Sequence, residues 1–244
     1  MSEAVLSVDG LTKQFGGVTA VDHCSFEVQA GTVTALIGPN GSGKTTAFNM
    51  ITGYLKADSG TIRFRGQNIT RPRPADLYRR GLSRTFQQAR IFPGLSVEEN
   101  VVVAAGYSWP QLFGRRVSAT DRDRARTMLQ EFRLEPFAQL PAGELSYGQR
   151  KLLEFAAVLT SEPTLVLLDE PTAGVNPVMI DTMEQHIRER HANGVTFLVV
   201  EHDMQLVMRL CDPVIVLDQG APISFGSPET VQSDPRVLEA YLGA

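Results

Sequence analysis

The chain has 244 residues, 43% of them hydrophobic and 20% charged, with a net charge of −4. This is the composition of an ordinary globular protein, long enough for one large domain or a domain with a subdomain, and its acidic balance argues against a general nucleic-acid binder. No apolar run approaches the ~18 residues a membrane span needs, and Met1-Ser2-Glu3-Ala4 has neither the basic region nor the apolar run of a signal peptide, so any role at a membrane is expected to come through a partner.

Residues 5–29 read as antiparallel strands. His23-Cys24-Ser25-Phe26-Glu27-Val28-Gln29 alternates, placing Cys24, Phe26 and Val28 on one face. Gly16-Gly17 punctuates this stretch, and Phe15 stands just before it, either as a core or edge aromatic or as a stacking platform. Val33-Thr34-Ala35-Leu36-Ile37 is short, β-branched and apolar, as a buried strand should be.

Gly38-Pro39-Asn40-Gly41-Ser42-Gly43-Lys44-Thr45 follows and fits G-x-x-x-x-G-K-[ST], the phosphate-binding loop. Its glycines let backbone N–H groups turn inward around a phosphate without Cβ clashes. The helix expected from Thr45 through Thr46 to Thr52 adds unpaired donors and a favourable dipole. Lys44 can reach the β- and γ-phosphates, and the Thr45 hydroxyl can ligate Mg²⁺. Strand, glycine loop and helix in succession are the context this motif requires.

Gly60-Thr61-Ile62-Arg63-Phe64-Arg65 and Asn68-Ile69 flank Gly66-Gln67, predicting a hairpin that joins the N-terminal strands in one antiparallel sheet. From Arg63 to Arg84 there are seven arginines and one acid, Asp76. Such a run forms a solvated face or a docking surface for an acidic partner; stacking aromatics are too sparse for a nucleic-acid site. Ser96 with Glu99 makes a capping box that opens a helix through Val101 and Ala105. Residues 107–116, with Trp109-Pro110 and Gly114, read as a loop. Ala125, Met128, Leu129 and Phe132 mark a second helix, and Leu152, Phe155, Ala156 and Leu159 a third that starts at Ser146. Residues from about 89 to 160 are therefore a helical insertion in an α/β core.

The α/β pattern then returns. Leu165-Val166-Leu167-Leu168 is a fully apolar strand suited to a parallel sheet covered on both faces. Met179, Ile180, Met183 and Ile187 mark a helix ending near Gly194, and residues 195–200 and 214–217 are further buried strands. Asp169-Glu170 stands at the C-terminal edge of its strand, where ligands bind in such folds. Asp169 suits a Mg²⁺ shell, and Glu170 is then available to orient or deprotonate a water. His202 follows Glu201 at the end of another strand, as a structural histidine or a functional one. In Leu145-Ser146-Tyr147-Gly148-Gln149, Ser146 is either a plain helix cap or, with Gly148, part of an anion site. The two cysteines, Cys24 and Cys211, match no metal or redox spacing and read as buried packing thiols.

Taken in this order and spacing, the loop of residues 38–45, Gln87, Leu145-Ser146-Tyr147-Gly148-Gln149, Leu167-Leu168-Asp169-Glu170-Pro171 and His202 resemble an ABC-type ATPase over nearly the whole chain. The resemblance implies a single domain over residues 1–244 of α/β class. This is a P-loop NTPase with a RecA-like parallel-sheet core and an N-terminal antiparallel β subdomain (about 1–88 and 161–244), plus an α-helical subdomain (about 89–160). It implies ATP and Mg²⁺ as cofactors. Phe15 would stack on adenine, and Gln87 would contact Mg²⁺ or the attacking water and sense a membrane partner. Ser146, Tyr147, Gly148 and Gln149 would close on the γ-phosphate held by a second subunit. Glu170 would be the catalytic base, His202 the switch histidine, and Ala173-Gly174-Val175-Asn176-Pro177 the D-loop at the dimer interface.

Two departures narrow the subfamily: Tyr147 replaces the usual second glycine of the signature, and Asn176 the usual D-loop aspartate. With Arg84-Thr85-Phe86-Gln87 and the ending Glu239-Ala240-Tyr241-Leu242-Gly243, these are similar to the ATPase subunit of bacterial branched-chain amino acid importers; related importers of urea and short amides share much of the pattern. The implied partners are a second ATP-binding subunit (the same chain or another), transmembrane permease subunits and, indirectly, a periplasmic solute-binding protein, with no nucleic acid. The implied location is the cytoplasmic face of the inner membrane, as a peripheral subunit. A non-transport ABC ATPase would carry two ATPase domains or a long coiled-coil insertion, and a dead ATPase would lack Lys44, Asp169, Glu170 or His202.

Overall fold

The computed structural model describes residues 4–105 and 119–242; the loop expected over residues 107–116 lies outside them. The described residues form two compact units. One runs up to Arg84 and includes Thr164–Glu170 and the chain from Ile187 on; the other holds Thr85–Pro163 and Pro171–His186. Among the described residues no helix is long and apolar enough to cross a membrane.

The first unit contains two sheets. Strands β1 (Ala4–Phe15) and β2 (Val18–Gln29) pair antiparallel, and β1 also pairs antiparallel with β4 (Ser59–Phe64), which pairs with β5 (Gln67–Asn68). Cys24, Phe26 and Val28 are buried on one face of β2, as their alternation predicts. The β4–β5 hairpin turns one residue earlier than its glycine suggests. Arg65 and Gly66 are the residues with positive φ, at 50° and 72°, as a two-residue type I′ turn requires.

The second sheet has the order β10-β9-β3-β8-β7-β6. Strands β3 (Val33–Ile37), β6 (Leu82–Arg84), β7 (Leu165–Asp169), β8 (Thr196–Val200) and β9 (Val214–Asp218) run parallel, and β10 (Ala221–Gly226) returns antiparallel on β9. Every residue of β3, β7 and β8 is buried, which is why these strands read as continuous apolar runs. Helix α1 (Lys44–Ile51) packs Phe48, Met50 and Ile51 into one cluster with Leu6 and Val28 of the antiparallel sheet and Leu167, Leu198 and Leu217 of the parallel sheet. Each such side chain contributes about 1.5–3 kcal/mol through burial. The glycine loop between β3 and α1 is thereby anchored at both ends. Both cysteines are buried and free, and burial pushes the Cys24 thiol up to about 12.

Of the seven arginines from Arg63 to Arg84, the first five face solvent and Arg80 is half-buried. The Arg84 side chain retains only 5% exposure, so the solvated reading does not extend to it. Helices α2 (Pro74–Arg79), α7 (Met204–Leu210), α8 (Pro228–Gln232) and α9 (Pro235–Leu242) complete this unit.

The second unit is helical. Helix α3 (Val97–Ala104) opens on the expected Ser96–Glu99 capping box. Helix α4 (Ala119–Glu131) turns Ala125 and Leu129 inward, with Phe132 just beyond its end. Helix α5 (Tyr147–Leu159) buries Leu152, Phe155, Ala156 and Leu159, and Phe132 meets Phe155 edge-on at 5.6 Å. Helix α6 (Pro177–Ala192) begins in this unit and ends in the other.

Candidate active site

The loop after β3 is shaped by backbone that only glycine tolerates. Gly38 and Gly43 have φ of 149° and 98°. A Cβ on Gly38 would overlap the Leu217 carbonyl oxygen, and one on Gly43 the Ala20 carbonyl oxygen. Gly38→Ala is therefore expected to cost about 1–3 kcal/mol of stability and to distort the loop. Thermal melting together with titration of a fluorescent ATP analogue checks this: a native melting temperature with native affinity would contradict it.

Lys44 is buried, and its Nζ donates to Gly38 O at 2.8 Å, Pro39 O at 2.9 Å and Ser42 Oγ at 3.3 Å. Burial lowers its pKa, while the Glu170 and Asp169 carboxylates pull it back up. The ammonium is thus braced across the loop and faces acidic neighbours. Helix α1 starts at this lysine with Gly43 as N-cap and no side-chain cap, so its first-turn N–H groups suit an anion. Asn40 and Thr45 are exposed, and Pro39 and Thr46 half-exposed, around the same turn.

Three other predicted residues reach the same sheet edge. Asp169 ends β7, Glu170 follows it, and His202 lies two residues beyond β8, the strand between β7 and β3. Parallel strands deliver all of them, with the glycine loop, to their C-terminal ends. His202 Nε2 lies 3.0 Å from Glu170 Oε1. Glu170 has φ 47°, a conformation that costs a non-glycine residue about 1–3 kcal/mol and concentrates at functional sites. The backbone bond Glu170 N to Val200 O, 2.9 Å, ties this strained residue to the neighbouring strand.

Arg84 was not legible as part of this site. Its NH2 donates to Asp169 Oδ2 at 2.6 Å, and its NH1 to Asn49 Oδ1 and Thr52 Oγ1, both at 2.8 Å. With side-chain exposures of 5% and 2%, this is a buried ion pair, and its extra hydrogen bonds are what make such a pair tolerable. It fixes the orientation of the Asp169 carboxylate. Tyr241 was read only as a subfamily mark, yet its hydroxyl hydrogen-bonds the Gly38 backbone and burial raises its pKa. Arg236, Glu239 and Ala240 of α9 line a cleft of about 510 Å³ with Pro39 and Asn40.

Among the described residues no three His, Cys, Asp or Glu side chains converge as a metal cluster. The hard-oxygen groups at this edge, the Thr45 hydroxyl and the Asp169 carboxylate, fit a Mg²⁺ that takes its other ligands from phosphate and water, as Mg²⁺ does in NTPases.

The remaining predicted residues lie in other places. Phe15 ends β1 with 49% exposure, and Lys13 Nζ stands 5.5 Å from its ring centre. Gln87, Ser146, Tyr147, Gly148 and Gln149 belong to the second unit. Ser146 is not a free serine: its Oγ accepts from Gln149 N at 3.3 Å, and Gln149 Oε1 accepts from Ser146 N at 2.9 Å. The Gln149 carboxamide oxygen thereby serves the cap, while its NH2 group and the Ser146 hydroxyl hydrogen can still donate to an acceptor. Gly148 leaves room for Met179 Sδ and Gly174 for the Tyr147 ring, so the signature packs against the D-loop segment.

Residues 21–173 match the ABC transporter family model, and the chain belongs to that family of ATP-hydrolysing cassettes. Residues 221–244 further match the model of the branched-chain amino acid ATP-binding cassette transporter. BraF of Pseudomonas aeruginosa, a high-affinity branched-chain amino acid transport ATP-binding protein, is 40% identical over 254 residues, covering 100% of this chain and 99% of BraF. The ADP conformation of an ATP-binding cassette of an ABC transporter superposes with a TM-score of 0.87 at 36% identity, covering 100% of both chains. A dimeric cassette in a post-hydrolysis state with ADP and Pi gives 0.79 at 25% identity, covering 91% of this chain and 98% of that one. An ATP-binding cassette with an antiparallel β subdomain and a mostly parallel sheet is therefore what both the sequence and the fold define.

Proposed function

We propose that this chain is the ATP-hydrolysing subunit of a bacterial importer for branched-chain or other hydrophobic amino acids. It works with a second ATP-binding subunit on transmembrane permease subunits, as a peripheral protein at the cytoplasmic face of the inner membrane. A periplasmic solute-binding protein is the indirect partner. The observation that carries the hydrolytic reading is the strained Glu170 held by His202 one strand away from the Lys44 loop. The full-length similarity to BraF supports the solute class.

On this reading, residues 38–46 hold the phosphates of ATP, with Lys44 on the β- and γ-oxygens. Glu170 takes the proton of the attacking water, and His202 fixes the Glu170 carboxylate and reports on the γ-phosphate. Gln87 serves the attacking water and the metal shell. Ser146, Tyr147, Gly148 and Gln149 of one chain close on the ATP held by another, which the dimeric relative supports. Mg²⁺, held by Thr45 and Asp169, would neutralise charge on the transferring phosphoryl group. Phosphoryl transfer needs mainly positioning and charge neutralisation, and these residues supply both.

Phe15 is the adenine platform. Phe15→Ala is expected to weaken ATP binding about five- to thirtyfold, the scale of one lost base stack, while Phe15→Trp keeps it. Titration with ATP and with triphosphate alone checks this, since triphosphate affinity should not change. The transport reading is tested by reconstituting the chain with its permease subunits in vesicles: ATP-driven uptake of leucine is expected, and uptake of urea without leucine would overturn the assigned solute class.

A further inference from the structure

On helix α5 the side chains of Tyr147, Lys151 and Glu154 are spaced i, i+4 and i+7 and so lie on one helical face. All three reach the backbone of one short segment around Gln87. Glu154 Oε1 accepts from Phe86 N at 3.3 Å and from Arg90 N at 2.9 Å. Lys151 Nζ donates to Phe86 O at 3.3 Å, and the Tyr147 hydroxyl donates to Gln87 O at 3.4 Å. The segment also closes on itself, with the Arg90 guanidinium 3.7 Å above the Phe86 ring.

This arrangement is costly. Lys151 and Glu154 are 2% and 4% exposed, beside Leu152, Leu153 and Phe155 on the same helix. Glu154 Oε2 is buried without a hydrogen-bond partner among the described residues. Burial lifts the Glu154 carboxyl to about 7, against the pull of the Arg90 and Phe86 N–H bonds and of the Lys151 and Arg90 charges. Buried ionisable groups rarely add stability over apolar ones. What these provide is partners for loop backbone groups that a purely apolar helix face would leave unsatisfied.

We propose that Tyr147, Lys151 and Glu154 form a brace that makes the Gln87 segment and the Ser146-Tyr147-Gly148 signature one rigid piece, so that a displacement of Gln87 is delivered directly to the signature. They are positioning residues, acting through Gln87; the inference rests on the role proposed for Gln87 above. It also gives a reason for tyrosine where the family has glycine. The phenol spans from the signature to the Gln87 carbonyl, and Gly174, with φ 70°, is the residue that leaves its ring space.

The test uses the purified full-length chain with Glu154→Ala, Glu154→Gln, Tyr147→Phe and Gln87→Ala. Hydrogen exchange over residues 85–90 reads the brace itself. Glu154→Ala, which removes the acceptor of two hydrogen bonds, is expected to speed it about tenfold, whereas Glu154→Gln, whose carbonyl oxygen still accepts both N–H groups, restores protection. In the ATPase assay Glu154→Ala should lower kcat about tenfold with KM for ATP little changed, Glu154→Gln should recover it, and Glu154→Ala should add no further loss in a Gln87→Ala background. Unchanged exchange in Glu154→Ala overturns the brace. Faster exchange with unchanged kcat, while Gln87→Ala is impaired, overturns the coupling. Full activity in Gln87→Ala overturns the role of Gln87 instead, and the exchange data still decide whether the brace exists. Should Glu154→Ala not fold, Tyr147→Phe removes one exposed oxygen and carries the same comparison, with an expected threefold or so rise in exchange; no rise overturns the brace.

Discussion

Glu170→Gln is expected to bind ATP with near-native affinity and to hydrolyse it about 10²–10⁴ times more slowly, the usual weight of one general base. The geometry allows this separation. Glutamine matches glutamate in shape, so the left-handed backbone at φ 47°, its tie to Val200 O and the contact with His202 can all persist. Only basicity is lost. The phosphate contacts of the glycine loop come from other strands and are untouched. Phosphate release measured beside analogue titration separates the two quantities. Wild-type-like turnover would remove Glu170 from the chemistry, and a matching loss of affinity would make its role structural.

Lys44→Ala should fail earlier in the cycle. It removes the only side chain that donates to Gly38 O, Pro39 O and Ser42 Oγ together among the described contacts. It also removes the cation meant for the β- and γ-phosphates. ATP affinity should fall at least tenfold and hydrolysis by about 10²–10³, the scale of a lost electrostatic clamp. The fold should survive, because a buried ammonium is costly to desolvate and alanine leaves the helix intact. Calorimetric titration with ATP beside a melting curve checks this, and retained affinity would refute the phosphate role. Together the two variants divide the site: Lys44 governs binding, Glu170 the step after it.

Much of this site was readable because local chemistry dictates it. The loop of residues 38–45 must contain glycine where backbone approaches backbone, and β7 and β8, which deliver Asp169, Glu170 and His202, are largely apolar because both faces of their sheet are covered. The capping box at Ser96 and the helix cap at Ser146 are likewise local. Arg84 was not readable, since charge in an arginine run looks solvated. Its burial is set by the pairing of Arg84 with Leu167 in β6 and β7, a contact between distant parts of the chain. The alternation test sees faces, not partners. Lys151 and Glu154 escaped for the same reason: their helix showed its apolar stripe, while the polar groups between served a loop far away in sequence. That Gln149 also serves the helix cap at Ser146 went unread, although the two stand three residues apart. Tyr241 gave only a family likeness, because nothing local says that a C-terminal helix reaches Gly38.

The central claim is that the Lys44 loop is half of a site, completed by the signature of a second cassette. Light scattering of Glu170→Gln, with and without ATP, tests it most directly. The chain has a mass of 26.7 kDa. The expected result is a two-cassette species that forms with ATP and dissolves when the nucleotide is removed, whether from this chain alone or with the second cassette of its transporter. A chain saturated with ATP that stays at its single-cassette mass in both mixtures would contradict the account.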